Sequence, residues 1–212
     1  MKILLIGGSG IIGQRILAEA VRRGHVVTTV TRDPSKILTR PGVTAVRGNV
    51  LDPSSLATTA VGHEVVVSAF GPGGGQPATA VVDAVRAQIA GLTAARVKRL
   101  IVVGGAGSLE VAPGVQVVDT PEFPTAWKGI ALAHRDALEV YRAEGGGLEW
   151  TYLSPPALIE PGERTGRYRT GGDQLLMDEA GQSRISAEDY AVALLDEAEV
   201  PAHVRQRFTV AY

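Results

Sequence analysis

A three-layer α/β fold, with helices on both faces of a mostly parallel sheet, is the architecture that three features of this sequence predict. Short β-branched apolar runs alternate with longer stretches of helical period, the pattern of repeated βα units. Five of the runs are apolar almost throughout, as strands covered on both faces require. The first run passes directly into a glycine-rich turn and then into a helical pattern. With 212 residues, 45% of them apolar, the chain can bury a sizeable core, so one domain over residues 1–212 is expected.

The elements follow in order. Strands are expected at Lys2–Ile6, Val26–Val30, Val43–Arg47, Glu64–Ser68, Arg99–Val103, Trp150–Leu153 and Arg207–Val210. The first helix starts near Ile11, because Ile12, Ile16, Leu17, Ala20 and Val21 share a face, and Arg22-Arg23-Gly24 ends it with cations and a C′ glycine. Asp52-Pro53 reads as an N-cap followed by proline at the first helical position, opening a short helix to Ala60. Further helices are expected at Ala78–Ala95, Ile130–Glu144 and Ala187–Glu197, the last capped by Ser186 with Asp189 close to a capping-box position. Two connections, Gly104–Trp127 and Pro155–Arg184, are too long to be turns, and both leave the carboxyl ends of strands, where open α/β sheets place ligands.

Composition narrows the function classes. The 21 basic and 22 acidic residues leave a net charge of −1, which gives no electrostatic reason to expect nucleic acid or an anionic membrane as partner. Without cysteine, disulfides, thiolate catalysis and cysteine-based zinc sites are excluded. His25, His63, His134 and His203 are scattered with no carboxylate at ligand spacing, so no catalytic metal is expected. The opening apolar run stops after four residues at glycine and suits a buried strand better than a signal peptide; the default location is the cytoplasm. A small-molecule substrate and a monomer or small homo-oligomer are expected.

The glycine turn Gly7-Gly8-Ser9-Gly10-Ile11-Ile12-Gly13 carries the strongest chemical signal. In a strand–turn–helix context, such glycines allow a tight turn, close approach of backbone to a pyrophosphate, and tight packing of the helix. A doubly wound, Rossmann-type sheet binding a nicotinamide dinucleotide follows. The adenosine ribose would lie at the end of the second strand, where Arg32 and Lys36 suit the 2′-phosphate of NADP(H) and Asp33 would suit the ribose diol of NAD(H). Because Arg32 comes first and Asp33-Pro34 resembles a turn starter, NADP(H) is preferred, with NAD(H) left open. Asn49 and Val50 are candidates to border the adenine, and Ser68, Ala69, Phe70 and Gly71 to lie against the cofactor; the latter segment could equally be a plain loop.

These residues resemble the atypical short-chain dehydrogenase/reductases, with their Gly-x-x-Gly-x-x-Gly turn at Gly7, Gly10 and Gly13. The chain is most similar to the NAD(P)H-binding group that includes NADH-flavin reductases, biliverdin reductase B and NmrA-like proteins. The likeness runs through Thr31-Arg32-Asp33, Gly48 to Asp52, Val102 to Leu109, Trp150 to Pro156 and Ile185 to Ala191. It implies that Ser154, Pro155 and Pro156 lie along the nicotinamide end; Gly104, after the fifth strand, is a further candidate to border the cofactor.

One departure matters. Classical members of the wider family use Tyr-x-x-x-Lys to exchange a proton with a carbonyl or alcohol, and none of Tyr141, Tyr152, Tyr168, Tyr190 or Tyr212 has lysine four residues on. The usual serine after the fifth strand is replaced by Gly104-Gly105-Ala106, leaving Ser108 as the nearest hydroxyl. That argues for a conjugated acceptor such as a flavin, quinone or tetrapyrrole, whose ring spreads the incoming charge, so that alignment of two rings supplies most of the catalysis. Ser108, Lys128 and His134 are the candidate catalytic groups, and Phe123 and Trp127 the candidate wall for the acceptor; for the aromatics a loop staple, and for His134 a solvated or capped side chain, are the structural alternatives. A non-catalytic redox sensor of the NmrA-like kind is the competing function.

Overall fold

The computed structural model describes residues 1–38, 40–73 and 75–212. Its strands are β1 (Lys2–Ile6), β2 (Val26–Thr31), β3 (Val43–Arg47), β4 (Val65–Ser68), β5 (Arg99–Val103), β6 (Glu110–Ala112), β7 (Val115–Gln116), β8 (Glu149–Ser154), β9 (Leu158–Glu160), β10 (Arg169–Gly171), β11 (Arg184–Ser186) and β12 (Gln206–Ala211). The helices are α1 (Ile11–Arg22), α2 (Pro53–Ala60), α3 (Ala80–Ala95), α4 (Thr125–Glu144) and α5 (Ala187–Glu199). Eight strands form one sheet in the order β3-β2-β1-β4-β5-β8-β12-β10, parallel throughout except where β10 meets β12. Strand order reverses between β1 and β4, which makes a crevice at their carboxyl ends.

The period-two alternation of β1 explains why the sheet needs two helical layers. Ile3 and Leu5 face the cluster with Ile16 and Leu17 of α1 and Tyr190 and Leu194 of α5. Leu4 and Ile6 face Leu56 of α2, Val85 of α3 and Leu138 of α4. Both faces are dry, so β4 and β5 are buried at every residue.

Local chemistry sets the boundaries. Gly24, at φ +79°, takes the left-handed position after α1, and the Asp52 carboxylate accepts from the Ser54 amide at 2.9 Å to cap α2 ahead of Pro53. Ser186 caps α5 as expected, its hydroxyl accepting from the Asp189 amide at 3.0 Å. Asp189 does not complete a capping box. Its carboxylate instead accepts from the Thr165 hydroxyl, the Gly166 amide and the Tyr212 hydroxyl, tying a distant strap to the helix.

Two further expectations are corrected. Helix α4 begins at Thr125 rather than Ile130, so Trp127 and Lys128 are helical. The two long connections carry structure: β6 and β7 form a small hairpin in the first, and the second contributes β9 and β10. Within the second connection, Arg164 reaches the buried Glu19 of α1 at 2.8 Å, and the hydrogen bonds from Arg22, Arg164 and Arg23 hold that carboxyl far below the usual range.

A buried pair locks the amino-terminal edge of the sheet. Arg99 of β5 donates to Glu197 of α5 at 2.7 Å and to the Thr151 hydroxyl at 2.8 Å, with 7% and 3% of the two charged side chains exposed. Removing one partner strands the other charge away from water. Arg99→Met is expected to lower unfolding free energy in urea by about 3 kcal/mol.

Candidate dinucleotide and acceptor site

The β1–α1 turn is built from backbone contacts that leave no room for side chains. Gly7 takes φ +82°, and a Cβ there would lie 2.4 Å from the Ala69 carbonyl oxygen. A Cβ on Gly13 would lie 2.1 Å from the Gly7 carbonyl oxygen. Gly8 packs inward against Thr29 of β2, where a Cβ would meet the threonine hydroxyl at 2.3 Å. Gly10 is different: a Cβ there would meet only the Gly7 oxygen, at 3.4 Å, so its outer face is open.

That turn delivers the amino end of α1 to a cavity of about 430 Å³ along the carboxyl ends of β1 to β5. Gly10 offers no side-chain cap, and no acidic residue lies in the first turn of the helix. The helix therefore presents amide donors and the positive end of its dipole, with no carboxylate among the described residues of the cavity lining to satisfy them. These residues fit a diphosphate. Gly7, Ser9, Gly10, Ile11, Ile12 and Gly13 line the cavity; Gly8 does not, having the packing role described above.

At the end of β2 the two charged candidates have separate uses. Asp33 spends its carboxylate on the turn that follows, accepting from the Ser35 amide at 3.2 Å and the Ser35 hydroxyl at 2.6 Å, and these bonds hold its pKa down. Arg32 is exposed and lines the cavity. Lys36 is exposed and lies outside the lining. Asn49 and Val50 line the wall after β3, and Ala69, Phe70 and Gly71 line the wall after β4; Ser68 is buried in its strand outside the lining.

The far end of the cavity explains the missing serine. A Cβ on Gly104 would fall 2.2 Å from Cε1 of Tyr152, whose ring fills the space from β8. A Cβ on Gly105 would fall 2.7 Å from the Cβ of His134. Two glycines therefore admit two side chains from other elements. The Tyr152 hydroxyl donates to the His134 carbonyl oxygen at 2.8 Å, and His134 Nδ1 lies 3.2 Å from the same hydroxyl. His134 lines the cavity beside Gly104, so it is not the freely solvated histidine of the structural alternative. Desolvation lowers its pKa from 6.5 to about 4, which keeps the ring neutral at pH 7. Burial also raises the phenols of Tyr141, Tyr152 and Tyr190 above their usual value, so none of these three is poised as a base.

Other candidates stand elsewhere. Ser108 is buried and occupied by Arg207, whose guanidinium donates to its carbonyl at 2.8 Å and its hydroxyl at 3.0 Å. Ser154, Pro155 and Pro156 are buried and do not line the cavity. Phe123, Trp127 and Lys128 are also outside its lining, with Trp127 59% exposed. Trp127 and His134 share a face of α4, two turns or about 10 Å apart along the helix, and of the two only His134 lines the cavity. The lining also includes Thr31, Leu51, Pro72 and Gln76, none of which was a candidate for contact with the cofactor from sequence. Pro72 and Gln76 have no motif; only the path of the loop after β4 brings them there.

Comparison with known proteins agrees with this geometry. The profile of a family described as NAD(P)H-binding matches residues 7–198. The chain belongs to that NAD(P)H-binding family. The uncharacterized protein YwnB of Bacillus subtilis is 42% identical over 213 residues, covering 99% of this chain and 98% of its own. A Burkholderia pseudomallei structure, provisionally named an exported protein, is 51% identical with a TM-score of 0.91, covering 100% of both chains. A Streptococcus pneumoniae structure, provisionally named an NADH-flavin reductase, is 31% identical with a TM-score of 0.88, covering 100% of this chain and 99% of its own. Among the described residues no helix is long and apolar enough to cross a membrane, and no cluster of three or more metal-ligating side chains occurs.

Two outcomes test the far end of the cavity. Gly104→Ser, which restores the usual serine, is expected to cost about 1–3 kcal/mol in urea unfolding through overpacking against Tyr152. His134 stays neutral in the fold while the unfolded chain's histidine takes a proton, so its contribution is intact above pH 6.5 and is lost as pH falls toward 4. Thermal melts of His134→Gln should show a shallower loss of stability across that interval than the parent protein.

Proposed function

We propose that this protein is an NADPH-dependent reductase that passes hydride to a planar conjugated acceptor such as a flavin, quinone or tetrapyrrole, the whole chain acting as one dinucleotide-binding domain. The observation that carries the reading is the uncapped, acid-free amino end of α1 opening on a cavity that ends at a neutral histidine and no activated tyrosine. Bound NADPH would supply the hydride, two electrons and one proton, while water supplies the second proton to the reduced acceptor.

The chain's own contribution is binding and alignment. The α1 amides hold the diphosphate, and Arg32 takes the 2′-phosphate while Asp33 is engaged in its turn. The loop after β4, through Ala69, Phe70 and Gly71, flanks the coenzyme. Trp127, exposed on the helix face that carries His134, offers its indole as the outer wall for a second ring. Carbonyl and alcohol chemistry would need a proton source at the reacting oxygen, and no tyrosine here has lysine four residues on. The supply of reduced coenzyme places the activity in the cytoplasm.

Purified protein is expected to oxidise NADPH faster when FMN, FAD, a quinone or biliverdin is added; absence of stimulation by all four removes the reductase reading. Matched affinity for NADP+ and NADPH without turnover would instead favour a redox sensor. Arg32→Ala should weaken NADPH binding by about 1.5 kcal/mol, roughly tenfold, and barely alter NADH. Equal losses for the two coenzymes in titration calorimetry would reverse the assigned preference.

A further inference from the structure

The geometry points to His134 as a hydrogen-bond acceptor that selects acceptors carrying a ring N–H, flavins or tetrapyrroles, over quinones. The inference rests on the reductase reading above and narrows its substrate class. It begins with the Tyr152 hydroxyl, which has one proton to give. That proton goes to the His134 carbonyl oxygen at 2.8 Å. The hydroxyl oxygen has only lone pairs left for His134 Nδ1, 3.2 Å away, so Nδ1 must carry the imidazole proton.

The neutral ring then holds its free lone pair on Nε2. Gly105 lies against the Cβ, Cγ and Cδ2 edge of the side chain, and Nδ1 faces Tyr152. Cε1 and Nε2 are the ring atoms left to meet the cavity that His134 lines, and no hydrogen-bond partner for Nε2 occurs among the described residues. Desolvation disfavours protonation of this nitrogen, so it accepts at neutral pH and cannot donate. The serine that would otherwise offer a hydroxyl donor here has no room beside Tyr152.

An acceptor-only group beside a bound ring discriminates by chemistry. The N3–H of an isoalloxazine or a pyrrole N–H can donate to Nε2. A quinone brings only carbonyl oxygens, whose lone pairs would face the nitrogen's own. Tyr152 is the positioning residue, since its hydroxyl fixes which nitrogen carries the proton.

Binding in the presence of NADP+ tests this without turnover. Quenching of flavin fluorescence should show riboflavin bound about tenfold more tightly than 3-methylriboflavin, the size of one hydrogen bond lost with its group left buried. The ratio should collapse toward one in His134→Phe and be largely kept in His134→Gln, whose side-chain oxygen can also accept; circular dichroism establishes that each variant is folded. Nitrogen-15 NMR of the parent protein should show a neutral His134 protonated at Nδ1, and Tyr152→Phe should mix the two tautomers. For the tetrapyrrole arm, biliverdin titrated against the same variants should weaken about tenfold in His134→Phe if pyrrole N–H is what is read.

Equal binding of riboflavin and its 3-methyl form, together with no His134 dependence for biliverdin, overturns the inference, as does an Nε2–H tautomer. Discrimination against the 3-acetylpyridine analogue of NADP+ that vanishes in His134→Phe would assign the lone pair to the coenzyme carboxamide and also overturns it. N–H discrimination without NADPH oxidation leaves the inference standing and removes the reductase reading; oxidation without discrimination does the reverse.

Discussion

Backbone pressed against backbone at the first βα crossover is the constraint on which the rest of the structure depends. The Gly7 carbonyl occupies the place a Cβ of residue 13 would need, and the Ala69 carbonyl occupies the place a Cβ of residue 7 would need. These two contacts bring α1, β1 and the loop after β4 closer than ordinary side chains permit. The amino end of α1 consequently meets the crevice where strand order reverses, with its amides directed at the cavity. Small residues are needed here for distance, and the anion affinity of the helix end follows from that distance.

A second exchange of volume shapes the chemistry at the other end of the cavity. Gly104 and Gly105 give up their side chains so that Tyr152 from β8 and His134 from α4 can meet there. The tyrosine lies in the core, where ionisation is costly, and its hydroxyl serves as a fixed dipole that orients an imidazole. A site normally furnished with a hydroxyl and an activated phenol is thus furnished with a neutral nitrogen lone pair. Under the proposed function, such a site suits ring-to-ring hydride transfer, where geometry does most of the work and the acceptor delocalises the charge.

The long connections are stitched to the scaffold by charged groups whose partners lie far away in sequence. Arg207 on β12 joins Ser108 of the first connection to Asp173 of the second, and backbone bonds between Glu110 and residues 173 and 175 run beside it. On the opposite face, Glu19 gathers Arg22, Arg23 and Arg164, which fastens the strap at 162–169 to α1. Burial of one carboxylate among several guanidiniums explains why a charged residue sits on the apolar face of α1.

Local periodicity and turn chemistry, both carried by neighbouring residues, made the strand and helix pattern legible in the amino-acid order: the seven expected strands, the caps at Asp52 and Ser186, and the glycine turn all stand where those signals place them. Legibility ended where a residue's role depends on a partner from a remote element. Ser108 looked like a spare hydroxyl until Arg207 claimed it, Asp33 competed with Arg32 until its own turn engaged it, and Trp127 looked like loop because the exposed first turn of α4 lacks an apolar stripe. Ser154 to Pro156, placed along the cofactor by resemblance, are buried beside the sheet end instead of lining the cavity. The sequence by itself determined the architecture and the glycine turn, since backbone conformation follows from short-range sterics. Only the tertiary structure decided that Gly104 and Gly105 make way for Tyr152 and His134, because shared volume among β5, α4 and β8 has no trace in local order.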